Sequence, residues 1–304
     1  MRNSVASGGH MLLFAALLGS SLSAIAADLD IPTPPPFPSS DEKAGRNAPV
    51  LPLRTELSGF VEVSRAGTTL RGDDANSKGR HWELRGTGNW GAGSDWNLQM
   101  DGTYQRASQA GAKANSFSVT GHGYFRQPEK YAVGVYAGMT RLSESSALPQ
   151  LAAINLSQEA KIVSGGLETA YFLSQATVFA RIGFGKILAE GPDLDQSALD
   201  AGARYYFTDN LRLDLEGGFR HRRTDHVKAN VLSIGTTANY RLPNNPISAF
   251  GGYRFEGFSG KRNGAVFGGK THGFLVGLRY HFGSESLKDE ERTGPLWSSR
   301  HDGF

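Results

Sequence analysis

Arginines and carboxylates recur two residues apart along this chain. Glu83 precedes Arg85, Arg212 precedes Asp214 and Glu216, Arg220 precedes Arg222, and Arg254 precedes Glu256. In an extended strand residues i and i+2 share a face, so each of these motifs sets its charges side by side. Asp101, Glu168, Arg181, Asp200, Arg204 and Arg279 fall on the same polar register, as do Glu62, Arg126 and Arg241. Ten arginines and eight carboxylates share this face, and none of its cations is Lys. The planar guanidinium suits bidentate contacts to carboxylates. Such a surface can brace itself as a closed network of ion pairs, or it can guide small anionic solutes. Covalent chemistry has no foothold. The chain has no Cys, no Gly-x-Ser-x-Gly elbow and no His-Glu-x-x-His. Gly86 to Gly91 spells GxGxxG by letter but sits inside an alternating segment with no helix after it. Asp73, Asp74 and Asn76, and the pair Asp193 and Asp195, lack calcium-loop spacing and read as solvated acids. No cofactor and no enzymatic activity are expected.

The elements that carry these charges alternate with period two. Trp82, Leu84 and Trp90 share one face of 81–90, while His81, Glu83, Arg85, Thr87 and Asn89 share the other. In 95–104, Trp96, Leu98, Met100 and Tyr104 oppose Asn97, Gln99, Asp101 and Thr103. This pattern predicts strands. Ten more follow at 56–65, 116–126, 131–141, 160–173, 176–187, 198–207, 211–222, 229–241, 247–257 and 272–282, making twelve. Each is close to the ~9–11 residues a tilted strand needs to cross a bilayer. Connections alternate long and short: 66–79 then 91–94, 107–115 then 127–130, 142–159 then 174–175. The short ones are rich in turn formers, as in Pro243-Asn244-Asn245-Pro246. Trp90, Trp96, Phe125, Tyr131, Tyr171, Phe207, Tyr240, Tyr280 and Phe282 fall on apolar faces beside short turns. Trp82, Tyr104, Phe117 and Phe255 lie nearer the opposite ends. Two aromatic girdles at membrane interfaces are the expectation.

The composition permits this reading. Mean hydropathy is −0.35 and net charge +3 over 304 residues. No window approaches the ~18 apolar residues of a membrane helix, but barrel strands average out to such values. Arg2, the apolar run 11–18 and Ala24-Ile25-Ala26 have the form of a secretory signal peptide over 1–26. Without Arg2 the balance is 31 basic to 29 acidic residues, which offers no basis for nucleic-acid binding. Residues 27–54 hold Pro32, Pro34, Pro35, Pro36 and Pro38 and read as a Pro-rich periplasmic linker, with docking of a periplasmic partner as the alternative. The barrel is expected over 55–283, and a charged periplasmic tail over 284–304. In the long connection 142–159, the apolar stretch 147–156 is expected to fold inward or to meet a partner or lipopolysaccharide.

With its alternation, its loop pattern and the ending Gly277-x-x-Tyr280-x-Phe282, the chain resembles the bacterial outer-membrane β-barrels. That ending is similar to their terminal assembly signal, with two departures: Leu275 stands where a polar residue is usual, and the chain continues past Phe282. The resemblance implies an all-β, transmembrane, antiparallel up-and-down barrel of about 12 strands with both termini periplasmic. It also implies outer-membrane location, contact with lipid and lipopolysaccharide, and handling by the barrel-assembly machinery. Arg85, Arg181, Arg204, Arg212, Arg220, Arg254 and Arg279 would then line the lumen with Glu83, Asp101, Glu168, Asp200, Asp214, Glu216 and Glu256. Two functions follow as expectations: a porin-like channel for small hydrophilic solutes, or a non-conducting barrel anchoring a secretion or exopolysaccharide assembly through its two arms. No histidine begins the His-x-Ser-Asn-Gly motif of the twelve-stranded phospholipases.

Overall fold

The computed structural model describes residues 57–72, 76–91, 95–109, 112–144, 159–189, 193–225, 227–262 and 265–297. Its strands are β1 (Ser58–Gly72), β2 (Asn76–Gly91), β3 (Trp96–Gln109), β4 (Ala112–Gln127), β5 (Tyr131–Glu144), β6 (Glu159–Phe172), β7 (Ala176–Ala189), β8 (Leu194–Thr208), β9 (Leu211–Arg223), β10 (Val227–Arg241), β11 (Ile247–Arg262) and β12 (Ala265–Phe282). A short helix, α1 (Leu287–Thr293), follows. Each strand pairs antiparallel with its sequence neighbours, and β1 closes on β12 with Gly59 opposite Phe282. Closure removes every sheet edge. Ser58 and Phe282 therefore lie at one end of the barrel, the end that also carries the turns at 128–130, 173–175, 209–210 and 242–246.

The period-two reading assigns the faces correctly. Along β1 the even residues Phe60, Glu62 and Ser64 are buried while Val61, Val63 and Arg65 are exposed. The outer surface bears Leu98, Met100, Val133, Val135, Leu167, Ile182, Leu199, Leu215, Ile234, Val276 and Leu278, all exposed. An apolar exterior over a charged interior is the arrangement of a membrane-spanning barrel, whose solvent outside is hydrocarbon. The girdle residues flank that belt. Trp96 meets Phe125 at 5.9 Å and Phe125 meets Tyr131 at 6.3 Å on the short-turn side, and Trp82 meets Tyr104 at 5.3 Å further along.

Two expectations need correction. All twelve strands are present and their short-turn ends agree to about a residue, but at the far end they run on. β1 reaches Gly72, β2 starts at Asn76, β3 ends at Gln109 and β4 starts at Ala112, so most of the expected loops 66–79 and 107–115 is strand. Beyond the hydrocarbon both faces of a strand can meet water, so the alternation fades although the ladder continues. Residues 145–158, with the apolar stretch expected to fold inward, lie outside the described residues, as do 1–56, His226, Asp73 and Asp74. The second correction concerns the tail. Residues 284–297 do not trail away from the barrel; the chain enters the lumen.

That entry depends on Gly283, whose φ of +71° lies in the left-handed region. A β-carbon there would meet the Leu57 carbonyl and Ser58, so glycine both permits the turn and fits the space. Ser286 caps α1, its hydroxyl accepting from the Asp289 amide at 3.0 Å.

Candidate functional site: a lumen closed at one end

Twelve strands enclose a narrow lumen, wider than the eight-stranded barrels that side chains fill and narrower than the porins that leave an aqueous channel. Its contents fall into three layers. At the short-turn end lies the plug, residues 284–297. Leu287, Glu290, Glu291, Arg292, Leu296 and Trp297 are all buried. Glu291 is the hub. Its carboxylate accepts from Arg204 at 2.6 Å, from Thr177 at 3.0 Å and from the Tyr206 hydroxyl. Burial works to raise this carboxyl's pKa, but the guanidiniums of Arg204 and Arg212 and the Tyr206 hydrogen bond outweigh it and hold the pKa below the usual carboxylate value. For Glu290 burial is likewise outweighed, by His281 first and then by Arg279; Arg279 lies 3.6 Å from this carboxylate.

The backbone of the plug is held as firmly. Arg126 donates to the carbonyls of Gly294 at 2.6 Å and Glu291 at 3.3 Å, and Arg204 donates to that of Leu296 at 2.9 Å. The Gln99 amide oxygen accepts from the Leu296 and Trp297 amides at 2.9 and 3.2 Å. Arg241 donates to the Ser284 carbonyl at 2.7 Å. Arg292 reaches outward to the turns, donating to the carbonyls of Leu173 at 2.5 Å and Pro128 at 3.3 Å. Leu296 and Trp297 pack with Tyr124, Ala132, Ala170, Phe172 and Phe179, and Trp297 meets Tyr124 edge-on at 5.7 Å.

The middle layer is an ion-pair network. Asp200 takes Arg181 at 3.2 Å and Arg220 at 3.5 Å; Arg212 pairs with Asp214 at 2.7 Å and Arg279 with Glu62 at 2.7 Å. His122 stands between two carboxylates, Nδ1 3.0 Å from Glu168 and Nε2 3.3 Å from Asp101. Inward aromatic rings lie beneath the guanidiniums: Arg279 sits 3.9 Å from the Phe60 centroid, Arg204 4.8 Å from Phe179 and Arg181 5.1 Å from Tyr136. Arg85 lies 5.8 Å from the Phe60 ring. Gly277 lies inside too, where a β-carbon would collide with the Phe250 ring, whereas Tyr280 is exposed and Phe282 half-buried on the outer face.

The third layer, toward the far end, is a cavity of about 240 Å³. Its walls include the ion pair Arg254 with Glu256 at 2.8 Å, together with His81, Glu83, Arg222 and an apolar rim of Leu142, Ala229, Val231, Phe258 and Phe267. Glu216 is inward and half-buried. Among the described residues no group has the makings of a metal site.

Every charged residue expected on the lumen wall thus faces inward. The structure corrects what those residues face: Arg204 and Arg279 meet the plug rather than an open passage. The residues that reading the sequence did not find are Glu290, Glu291, Arg292, Leu296 and Trp297, and the wall partners His122, Tyr124, Thr177 and Tyr206. A signal for the plug exists in the Ser286-x-x-Asp289 start, the Glu290-Glu291-Arg292 run and the apolar Leu296-Trp297 pair in an otherwise polar tail.

A closed antiparallel up-and-down barrel with a lipid-suited exterior and a charged, plugged interior defines a bacterial outer-membrane type β-barrel. No protein-family model matches the chain, and no curated protein sequence does either. Among solved structures it is similar to the translocator domain of autotransporter NalP from Neisseria meningitidis, at 13% identity and TM-score 0.48, over 89% of this chain and 96% of that one. It is also similar to the β domain of the Bordetella autotransporter BrkA, at 13% identity and TM-score 0.45, over 74% of this chain and 100% of that one. The anion-selective porin from Comamonas acidovorans matches at 12% identity and TM-score 0.36, over 75% and 99%. These are likenesses of fold alone.

Proposed function

We propose that this protein is a gated outer-membrane channel for small hydrophilic solutes, closed in the described state by its own C-terminal segment. The observation that carries this reading is the contrast between the two ends of the lumen. The far end holds a cavity, the short-turn end is filled by residues 284–297, and the ion-pair network lies between them. That segment is joined to the wall by one pivot, Gly283, by polar contacts that water can replace, and by the packing of Leu296 and Trp297 against the wall. A permanent wall would not need such a filling; a removable one does. In this reading the signal peptide is cleaved after Ala26, the short turns face the periplasm, and the arm at 27–54 leads there too.

A second reading rests on the same plug: a barrel that never conducts and anchors an envelope assembly through its N-terminal arm. One comparison separates them. The full mature chain and a chain ending at Gly283 are inserted into planar bilayers. The channel reading expects rare or no openings from the full chain and steady conductance from the truncated one. A truncated barrel that assembles and inserts yet never conducts would leave the anchoring reading.

A further inference from the structure

The far-end cavity combines features that neither a water-filled pore nor a salt-bridged wall requires. Its rim is apolar. Leu142 and Ala229 belong to a buried cluster with Ala160, Ile187, Leu194 and Val227, all pointing into the barrel rather than toward lipid, and Phe267 packs against that cluster. Phe258 and Val231 continue the apolar lining downward. An inward apolar rim offers the apolar part of a solute a surface to bury, beside the polar groups that line the rest of the cavity.

Beneath the rim, Arg222 and Arg254 line the cavity together with Glu83 and Glu256. Of the two guanidiniums, Arg222 is the one bonded to a neutral partner. Arg254 is joined to Glu256 at 2.8 Å, whereas Arg222 donates through Nε to the neutral amide oxygen of Gln196 at 2.8 Å. Glu256 attracts Arg222 through space but is bonded to Arg254 rather than to Arg222. A guanidinium beneath apolar walls is well matched to a carboxylate, which it can engage through two parallel hydrogen bonds.

We infer that this cavity is a binding site for a small amphipathic monocarboxylate, its apolar body held by Phe258, Phe267 and Leu142 and its carboxylate by Arg222. The volume of about 240 Å³ is below the ~300–1,000 Å³ of sites for drug-sized ligands, which fits an acid of one ring or one short chain. The inference goes beyond the channel reading and does not depend on it, because a site at the far end can be filled whether or not the plug ever leaves.

The test uses the full mature barrel in lipid nanodiscs, with empty nanodiscs subtracted, and isothermal titration with three probes: 3-phenylpropionate, its uncharged amide, and acetate. The expected result is saturable binding of 3-phenylpropionate, with the amide and acetate each at least tenfold weaker. Arg222→Gln should bring the acid down to the level of the amide and leave the amide unchanged, in a variant whose heat-modifiable gel migration shows an assembled barrel. Equal binding of acid and amide, equal binding of acid and acetate, or no saturable binding by wild type would each overturn the inference without any variant. Retained preference for the acid in Arg222→Gln would overturn the assignment of the carboxylate to that residue. Current plays no part in the readout, so a conducting barrel that binds no acid rejects this inference and leaves the channel reading, and a silent barrel that binds it does the reverse.

Discussion

Arg204 on β8 and Glu291 on α1 lie 2.6 Å apart with side chains only 3% and 1% exposed, although 87 residues separate them in sequence. The pair joins the wall of the barrel to the segment that fills it. Two charges removed this completely from water are costly unless both find partners. Both do: the carboxylate also takes Thr177 and Tyr206, and the guanidinium also takes the Leu296 carbonyl.

Removing the carboxylate should therefore release the plug without dissolving the barrel. Glu291→Ala strands the Arg204 guanidinium, and breaking a buried pair in this way typically costs ~3–5 kcal/mol. Limited proteolysis of the assembled protein should cut within 284–297 in the variant and spare that region in wild type. Equal protection of the two would show that the plug is held by other contacts.

Acid should do the same by titration. The pKa values of Glu290 and Glu291 are lowered in the folded state, so they favour docking at every pH above their ordinary value of 4.5. That contribution disappears as pH falls through the lowered values, because protonation then becomes equal in the docked and released states. Protease sensitivity of the tail should rise steeply as pH falls below about 4.5. A tail that stays equally protected at every acid pH at which the barrel remains assembled would contradict the assignment.

The two faces of β3 should respond differently to charge. Leu98 is 58% exposed on the outer face and Gln99 is 2% exposed inside. Arginine on the lipid face costs ~2–4 kcal/mol at mid-membrane, so Leu98→Arg should lower the yield of heat-modifiable barrel. Gln99→Arg should assemble but loosen the plug, since the Gln99 oxygen accepts from Leu296 and Trp297. Equal assembly of both variants would contradict the assignment of the faces, and impaired assembly of Gln99→Arg alone would show them to be reversed.

In the middle layer, Asp200 is shared between Arg181 and Arg220. Asp200→Asn leaves two neighbouring guanidiniums facing each other, and the loss should again approach ~3–5 kcal/mol. The temperature at which the barrel loses its compact gel migration should fall clearly. Arg181→Met combined with Asp200→Leu, which removes charge of both signs, should recover part of it. A single variant as heat-stable as wild type would mean that solvent already screens this site.

What the sequence by itself determined is the wall. Alternation is a local property, and a period of two places every second side chain on one face whatever the rest of the chain does. Twelve strands, their faces, the aromatic girdles and the inward charges were all legible for that reason. The far ends of the strands were not, because beyond the hydrocarbon neither face has to be apolar and the pattern loses its cause. Only the tertiary structure decided what the wall encloses. Glu291 meets Arg204, Leu296 meets Gln99, and Arg292 meets the turns at Pro128 and Leu173, each across a closed barrel and each between residues far apart in the chain. The same holds for inward rings such as Phe60, Tyr124 and Phe179, which are stacked by arginines from the wall. Whether an inward arginine meets water, another strand or a returning segment depends on the width of the lumen and on where Gly283 turns the chain. Neither has a local period that residue order could display.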